Sequence, residues 1–242
     1  MKIAVVTGAS TGIGRAVAIT LAENKFFVYL LARNQEGLEE TKELITQKGG
    51  KAEIVLTDLS SIESINNAIK VIKDKESEIN VLVNIAGIWH GQDKVFADQE
   101  FGMFEQKVIL DTYFVGTIAP TLLAHAFIPY MIYGAKIINL SGTFENGAKG
   151  WLPYYVSKRA IEDLTIALSQ ELEDKGIQVN CVSPSDTATE SYAKFFPQYM
   201  KDAISPDEIA KKVLELCDVE NKITGKVFVM KKDKEPSEGF HS

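Results

Sequence analysis

Short β-branched runs such as "IAVV", "VLV" and "KIINL" alternate along this chain with longer amphipathic stretches, and that alternation leaves few folds open. Nearly continuous apolar runs suit strands buried on both faces, which is the habit of parallel sheets. Parallel neighbours need crossover connections. An alternating order of strand and helix supplies them in the right-handed sense, giving a doubly wound α/β sheet. The pattern predicts strands near 2–7, 27–32, 52–56, 80–85, 135–140, 177–182 and 226–230. It predicts helices near 13–23, 36–48, 62–75, 98–125, 153–175 and 206–217. The expected fold is one α/β domain over 1–242 with a parallel sheet of about seven strands. The charged tail at 231–242 is expected to be loosely ordered.

Composition narrows the function classes. With 242 residues, 45% of them hydrophobic, the chain can bury one sizeable core. A formal net charge of −7 argues against a nucleic-acid partner, which calls for a basic surface. Cys181 and Cys217 have no metal-ligand spacing and suggest no disulfide framework, so no metal is expected. Cys181 lies in the apolar run "IQVNCVS" and reads as a buried, inert thiol. "MKIAVVTGAS" does not resemble a secretory signal, and no apolar run is expected to reach the length of a membrane span. The expectation is a cytoplasmic protein with no membrane partner.

Doubly wound sheets bind ligands beyond the carboxyl ends of their strands, so the loops after the strands carry the chemistry. The first of these reads "TGASTGIG" and opens the first helix. Gly8, Gly12 and Gly14 allow a tight turn and a close backbone approach, with Ser10, Thr11 and Ile13 beside them. The free N–H groups of a helix start then face a pyrophosphate. Strand, glycine loop and helix in that order indicate a dinucleotide site on a Rossmann-type sheet.

A second stretch, "PYYVSKRA", pairs Tyr154 with Lys158 and Tyr155 with Arg159, each four residues apart on one helix face. With these motifs the chain resembles the short-chain dehydrogenase/reductase family over nearly its whole length. Thr7, Gly8, Gly12 and Gly14 match the family's glycine motif. "NIAG" matches its Asn-Asn-Ala-Gly through Asn84, Ala86 and Gly87, with Ile85 in place of the second Asn. Tyr154 and Lys158 match its Tyr-x-x-x-Lys. "PSDTAT" matches its Pro-Gly-x-Val-x-Thr through Pro184 and Thr189, with Ser185 for Gly and Thr187 for Val.

The resemblance implies a catalytic Tyr whose phenol is tuned by the Lys, which also bonds the nicotinamide ribose. It implies too a Ser about thirteen residues before the Tyr. Counting back from Tyr154 reaches Ser141, whereas the same count from Tyr155 reaches Gly142, which has no hydroxyl. Ser141, Tyr154 and Lys158 are therefore the expected catalytic set, with Thr143 the alternative hydroxyl. Many relatives carry a second Ser where Gly142 stands. They also carry an Asn in the long helix where this chain has Tyr113, so the family's fourth catalytic residue is missing at its expected place. Asn84, Ala86, Gly87, Pro184, Thr187 and Thr189 are implied cofactor contacts. Arg159 is expected to be a solvated or interface charge.

At the end of the second predicted strand, "YLLARNQE" puts Ala32 where NAD-type members carry Asp, followed by Arg33. A guanidinium grips a phosphate bidentately, so NADP(H) is expected over NAD(H), with Arg15 a second candidate cation. Asp58 and Leu59 in "TDLS" resemble the adenine-binding position. The segment 190–205, rich in Tyr192, Phe195, Phe196 and Tyr199, falls where the family places a substrate lid, and Trp89 and His90 are candidates to overhang the site. The resemblance implies an NADP(H)-dependent oxidoreductase acting on a small alcohol or carbonyl. The alternative is an NADP-binding regulator with little turnover. A homodimer or homotetramer is expected through the long helix at 98–125 and the helix after Pro153.

Overall fold

A computed structural model describes residues 1–144 and 147–241. Seven strands form a parallel sheet: β1 (Lys2–Thr7), β2 (Phe26–Ala32), β3 (Lys51–Leu56), β4 (Val81–Asn84), β5 (Lys136–Leu140), β6 (Gln178–Pro184) and β7 (Val227–Met230). An eighth, β8 (Ser237–Glu238), pairs antiparallel to β7, and the order is β3-β2-β1-β4-β5-β6-β7-β8. The order reverses between β1 and β4, which fixes the ligand crevice beyond their carboxyl ends.

Every residue of β4, β5, β6 and β7 is buried, because helices cover both faces of the sheet. On one face lie α1 (Gly12–Glu23), α2 (Gln35–Gln47) and α8 (Pro206–Leu216), packed through Val17, Leu21, Leu38, Ile45 and Ile209. On the other lie α3 (Ile62–Lys73), α4 (Gln106–Tyr113), α5 (Ala119–Phe127) and α6 (Leu152–Glu171), with Ile65, Ile72, Ala119, Leu123 and Phe127 in the core. A short α7 (Glu190–Phe195) and a 3₁₀ segment (Pro197–Asp202) follow β6.

The long helix expected at 98–125 begins only at Gln106. Before it, Phe101–Met103 is a 3₁₀ turn, and Phe104 and Glu105 are extended. A π-helical segment, Phe114–Ile118, interrupts the helix between α4 and α5. Such bulges are frequent at functional sites. This one packs on α6 at its closest point, where a Cβ on Gly116 would lie 2.9 Å from Ser157. Taken whole, Gln106–Tyr130 is long and apolar enough by composition to cross a membrane, contrary to expectation. Lys107 and Asp111 break up the run in the sequence, and Val115, Ala119, Leu123, Ala124 and Phe127 face the core.

The tail also departs from expectation. It adds β8 to the sheet, and the His241 N–H donates to the buried Glu162 carboxylate at 2.6 Å.

Candidate active site

The loop between β1 and α1 is held by backbone proximity. Gly8 has φ +69, and a Cβ there would lie 3.1 Å from the Ala86 nitrogen. A Cβ on Gly14 would sit 2.0 Å from the Gly8 carbonyl oxygen, so no side chain fits. The Thr7 hydroxyl accepts from the Ile85 N–H at 2.9 Å, tying the end of β1 to the loop after β4. Asn84 donates to Asn139 at 2.9 Å, while its own Oδ1 is buried without a partner among the described residues.

The α1 N-terminus already holds an anion. The Glu190 carboxylate accepts from the Thr11 hydroxyl at 2.9 Å and the Gly12 N–H at 3.2 Å, with Arg15 3.5 Å away. These contacts hold the Glu190 carboxyl below its usual range against the opposing effect of burial. Glu190 stands in for the phosphate that a helix start attracts. Sequence separation hides this contact, since Gly12 and Glu190 are 178 positions apart.

Arg15 donates to Glu40 and to the Ser10 carbonyl, both at 2.7 Å, so its charge is already engaged. Arg33 is exposed just after β2 and makes no hydrogen bond among the described residues, while its charge acts on Asp58. Asp58 accepts from the Ser60 N–H and hydroxyl at 2.9 and 2.7 Å, and these bonds, with Arg33, lower its pKa. The α3 cap is Ser61, not Asp58. Leu59 packs its side chain into the core.

Tyr154 and Lys158 lie together against the β4 loop. The Lys158 ammonium is 5.4 Å from the Tyr154 ring centroid and donates to the Leu140 carbonyl at 2.8 Å. A Cβ on Gly87 would come within 3.3 Å of that ammonium and 3.7 Å of the Tyr154 ring, so Gly87 forms the open floor of the site. Burial lowers the Lys158 pKa to about 8 and pushes the Tyr154 phenol up.

The Ser141 hydroxyl is engaged with α6. Ser141 is 2% exposed, and its hydroxyl donates to Glu162 at 2.5 Å, with the Lys158 carbonyl at 3.2 Å. The pleat explains the direction: Asn139 and Ser141 both face α6, where they meet Thr165 and Glu162. Gly142 is open, its nearest neighbour to an added Cβ being a Phe144 ring carbon at 3.9 Å. Thr143 is half-buried and its hydroxyl bonds no described residue.

The second Tyr–cation pair is structural. Arg159 is buried rather than solvated. It pairs with Glu162 at 3.2 Å and lies 5.0 Å from the Tyr155 ring and 5.3 Å from Phe144. Pro184 ends β6, and Thr189 caps α7, accepting from the Tyr192 N–H at 3.2 Å and touching Gly12. Thr187 turns its hydroxyl to the Ser185 carbonyl. Among the described residues, no group of three or more His, Cys, Asp or Glu could hold a metal ion.

A family profile described as short chain dehydrogenase matches residues 2–199. An uncharacterized oxidoreductase of Escherichia coli (strain K12) is 34% identical over 201 residues, covering 80% of this chain and 79% of that one. The 3-oxoacyl-acyl-carrier-protein reductase of Aquifex aeolicus (strain VF5) is 32% identical over 238 residues, 93% and 94% of the two chains. A short chain dehydrogenase from Burkholderia cenocepacia J2315, solved in complex with NADP, superposes with a TM-score of 0.83. It shares 25% identity over 95% of this chain and 96% of that one.

Proposed function

Since the chain belongs to the short-chain dehydrogenase/reductase family, we propose that this oxidoreductase interconverts a small alcohol and its carbonyl with NADP(H), using Tyr154 as acid and base. The observation that carries the proposal is the Lys158 ammonium over the Tyr154 ring, beside the open Gly87 floor. The glycine loop, the α1 N-terminus and the Lys158 side chain fit a dinucleotide: the helix start already binds a carboxylate, and the backbone at Gly8 and Gly14 admits no side chain. Bound there, the reduced nicotinamide supplies the hydride. Tyr154 gives a proton to the carbonyl oxygen, and its high pKa keeps it protonated at neutral pH. The Lys158 charge stabilises the phenolate left behind. The Thr143 hydroxyl holds the carbonyl oxygen, because the Ser141 proton is given to Glu162. Consumption of NADPH on addition of ketones tests the activity. A protein that binds NADPH and reduces none of them fits the regulator reading.

Cofactor choice rests on Arg33. Its guanidinium is exposed at the β2 end, and Ala32 offers no carboxylate to repel a 2′-phosphate. Arg33→Ala should weaken NADPH binding about tenfold, the scale of one charge-assisted contact, and leave NADH within twofold. Equal loss for both would show that Arg33 does not read the phosphate. In the same titrations Glu190→Gln should tighten NADPH about fivefold, because a carboxylate no longer competes for the α1 N-terminus. Weaker binding in that variant would mean that Glu190 braces the loop instead.

A further inference from the structure

Aromatic rings from four separate segments form a chain of contacts that leads to Tyr154. Phe144, after β5, has its ring centroid 5.8 Å from that of Tyr154. Trp151, at the foot of α6, is 6.2 Å away. Phe196, between α7 and the 3₁₀ segment, lies 6.4 Å from Trp151. Trp89, after β4, stacks on Phe196 at 6.2 Å with 25° between the planes. The buried Tyr192 backs Phe196 at 5.3 Å. The charges nearest these rings are engaged elsewhere. Lys194 donates to the Gln92 carbonyl at 2.6 Å and to Asp93 at 3.3 Å, clasping α7 to the loop after β4. Arg159 pairs with Glu162 beneath Phe144.

A substrate whose carbonyl sits at Tyr154 lays its body against these rings. Contacts between aromatic rings are worth more than their buried area alone. An aliphatic substrate gains only the burial. A flat π surface gains the quadrupolar contacts as well. Among the described residues, the cations lying over rings of this cluster and its neighbour Phe195, Lys158, Arg159 and Lys194, all have partners, so a carboxylate or phosphate next to the substrate carbonyl gains nothing from them. Resting on the assignment of Tyr154 as the acid, we infer that the substrate is an uncharged, planar aromatic ketone or the matching benzylic alcohol. It is gripped between Trp151 and the Trp89–Phe196 stack. The reduction balances as one hydride to the carbonyl carbon and one proton from Tyr154 to the oxygen, with NADPH as the reductant.

The test compares 1-tetralone with 1-decalone, which has the same two-ring frame and carbonyl position but no aromatic ring. For the wild-type enzyme with NADPH, kcat/KM should favour 1-tetralone by about tenfold or more, and Trp151→Leu and Phe196→Leu should each pull that ratio toward one. Calorimetry of both ketones on the NADP⁺-loaded protein reads the same preference without turnover, and should show it lost in the same variants. Equal affinity for the two ketones, or a ratio unmoved by both substitutions, overturns the inference. Tight, selective binding of 1-tetralone with no NADPH consumed from either ketone leaves the aromatic site standing and removes the catalytic reading instead.

Discussion

Tyr154→Phe should lower turnover by about 10² or more, the loss expected when a general acid is removed, with NADPH affinity kept. The substitution deletes a single oxygen and keeps the ring contacts with Phe144 and Trp151. Tyr155→Phe should stay within a few-fold, because Tyr155 meets Phe144 edge-on at 5.0 Å and the Arg159 guanidinium through its ring face. The neighbouring Lys158 sets the pH response. Its ammonium must be charged to stabilise the phenolate, and burial has lowered its pKa to about 8. Ketone reduction should therefore be flat below that pH and fall as pH rises through it. If the Tyr155 variant is the crippled one, the register along α6 is wrong.

The hydroxyl that holds the carbonyl is the second large effect. Thr143→Val should lower kcat/KM by about 10², within the range seen when one preorganised donor is lost, and Thr143→Ser should recover most of it. Ser141→Ala should show its main effect in stability. It removes a donor from Glu162, which has no exposed surface, and a buried acceptor left short costs about 1–3 kcal/mol. Gly142→Ser adds a hydroxyl where, among the described residues, only the Phe144 ring stands near, so it should rescue the Thr143→Val variant. A folded Ser141→Ala protein that loses 10² beside an active Thr143→Val protein would return the role to Ser141.

The seven parallel strands were legible because strands buried on both faces leave continuous apolar runs, as "IAVV" and "KIINL" do. The glycine loop was legible because its glycines answer to backbone crowding alone, as the Gly8–Gly14 approach shows. The short β8 was not, since a pairing of two exposed residues leaves no hydrophobic trace in "KKDKEPSEGFHS". The start of the long helix was misplaced because an apolar pattern at 98–105 does not reveal the extended backbone at Phe104 and Glu105. Counting residues pointed to Ser141 and left Thr143 as the alternative, because a count does not say which way a pleat turns a hydroxyl. Burial of the Arg159–Glu162 pair and the reach of Glu190 to Gly12 are tertiary facts with no local signature.

Hydride transfer to a carbonyl at Tyr154 is tested directly by isotope. The wild-type enzyme is given NADPH carrying deuterium at both C4 positions and an aromatic ketone, and the alcohol is analysed by mass spectrometry. The alcohol should carry one deuterium at the carbinol carbon, with about 10² less labelled alcohol from Tyr154→Phe at equal NADPH occupancy. Alcohol formed at the same rate by both proteins, or NADPH bound with no labelled alcohol from any ketone offered, would contradict it.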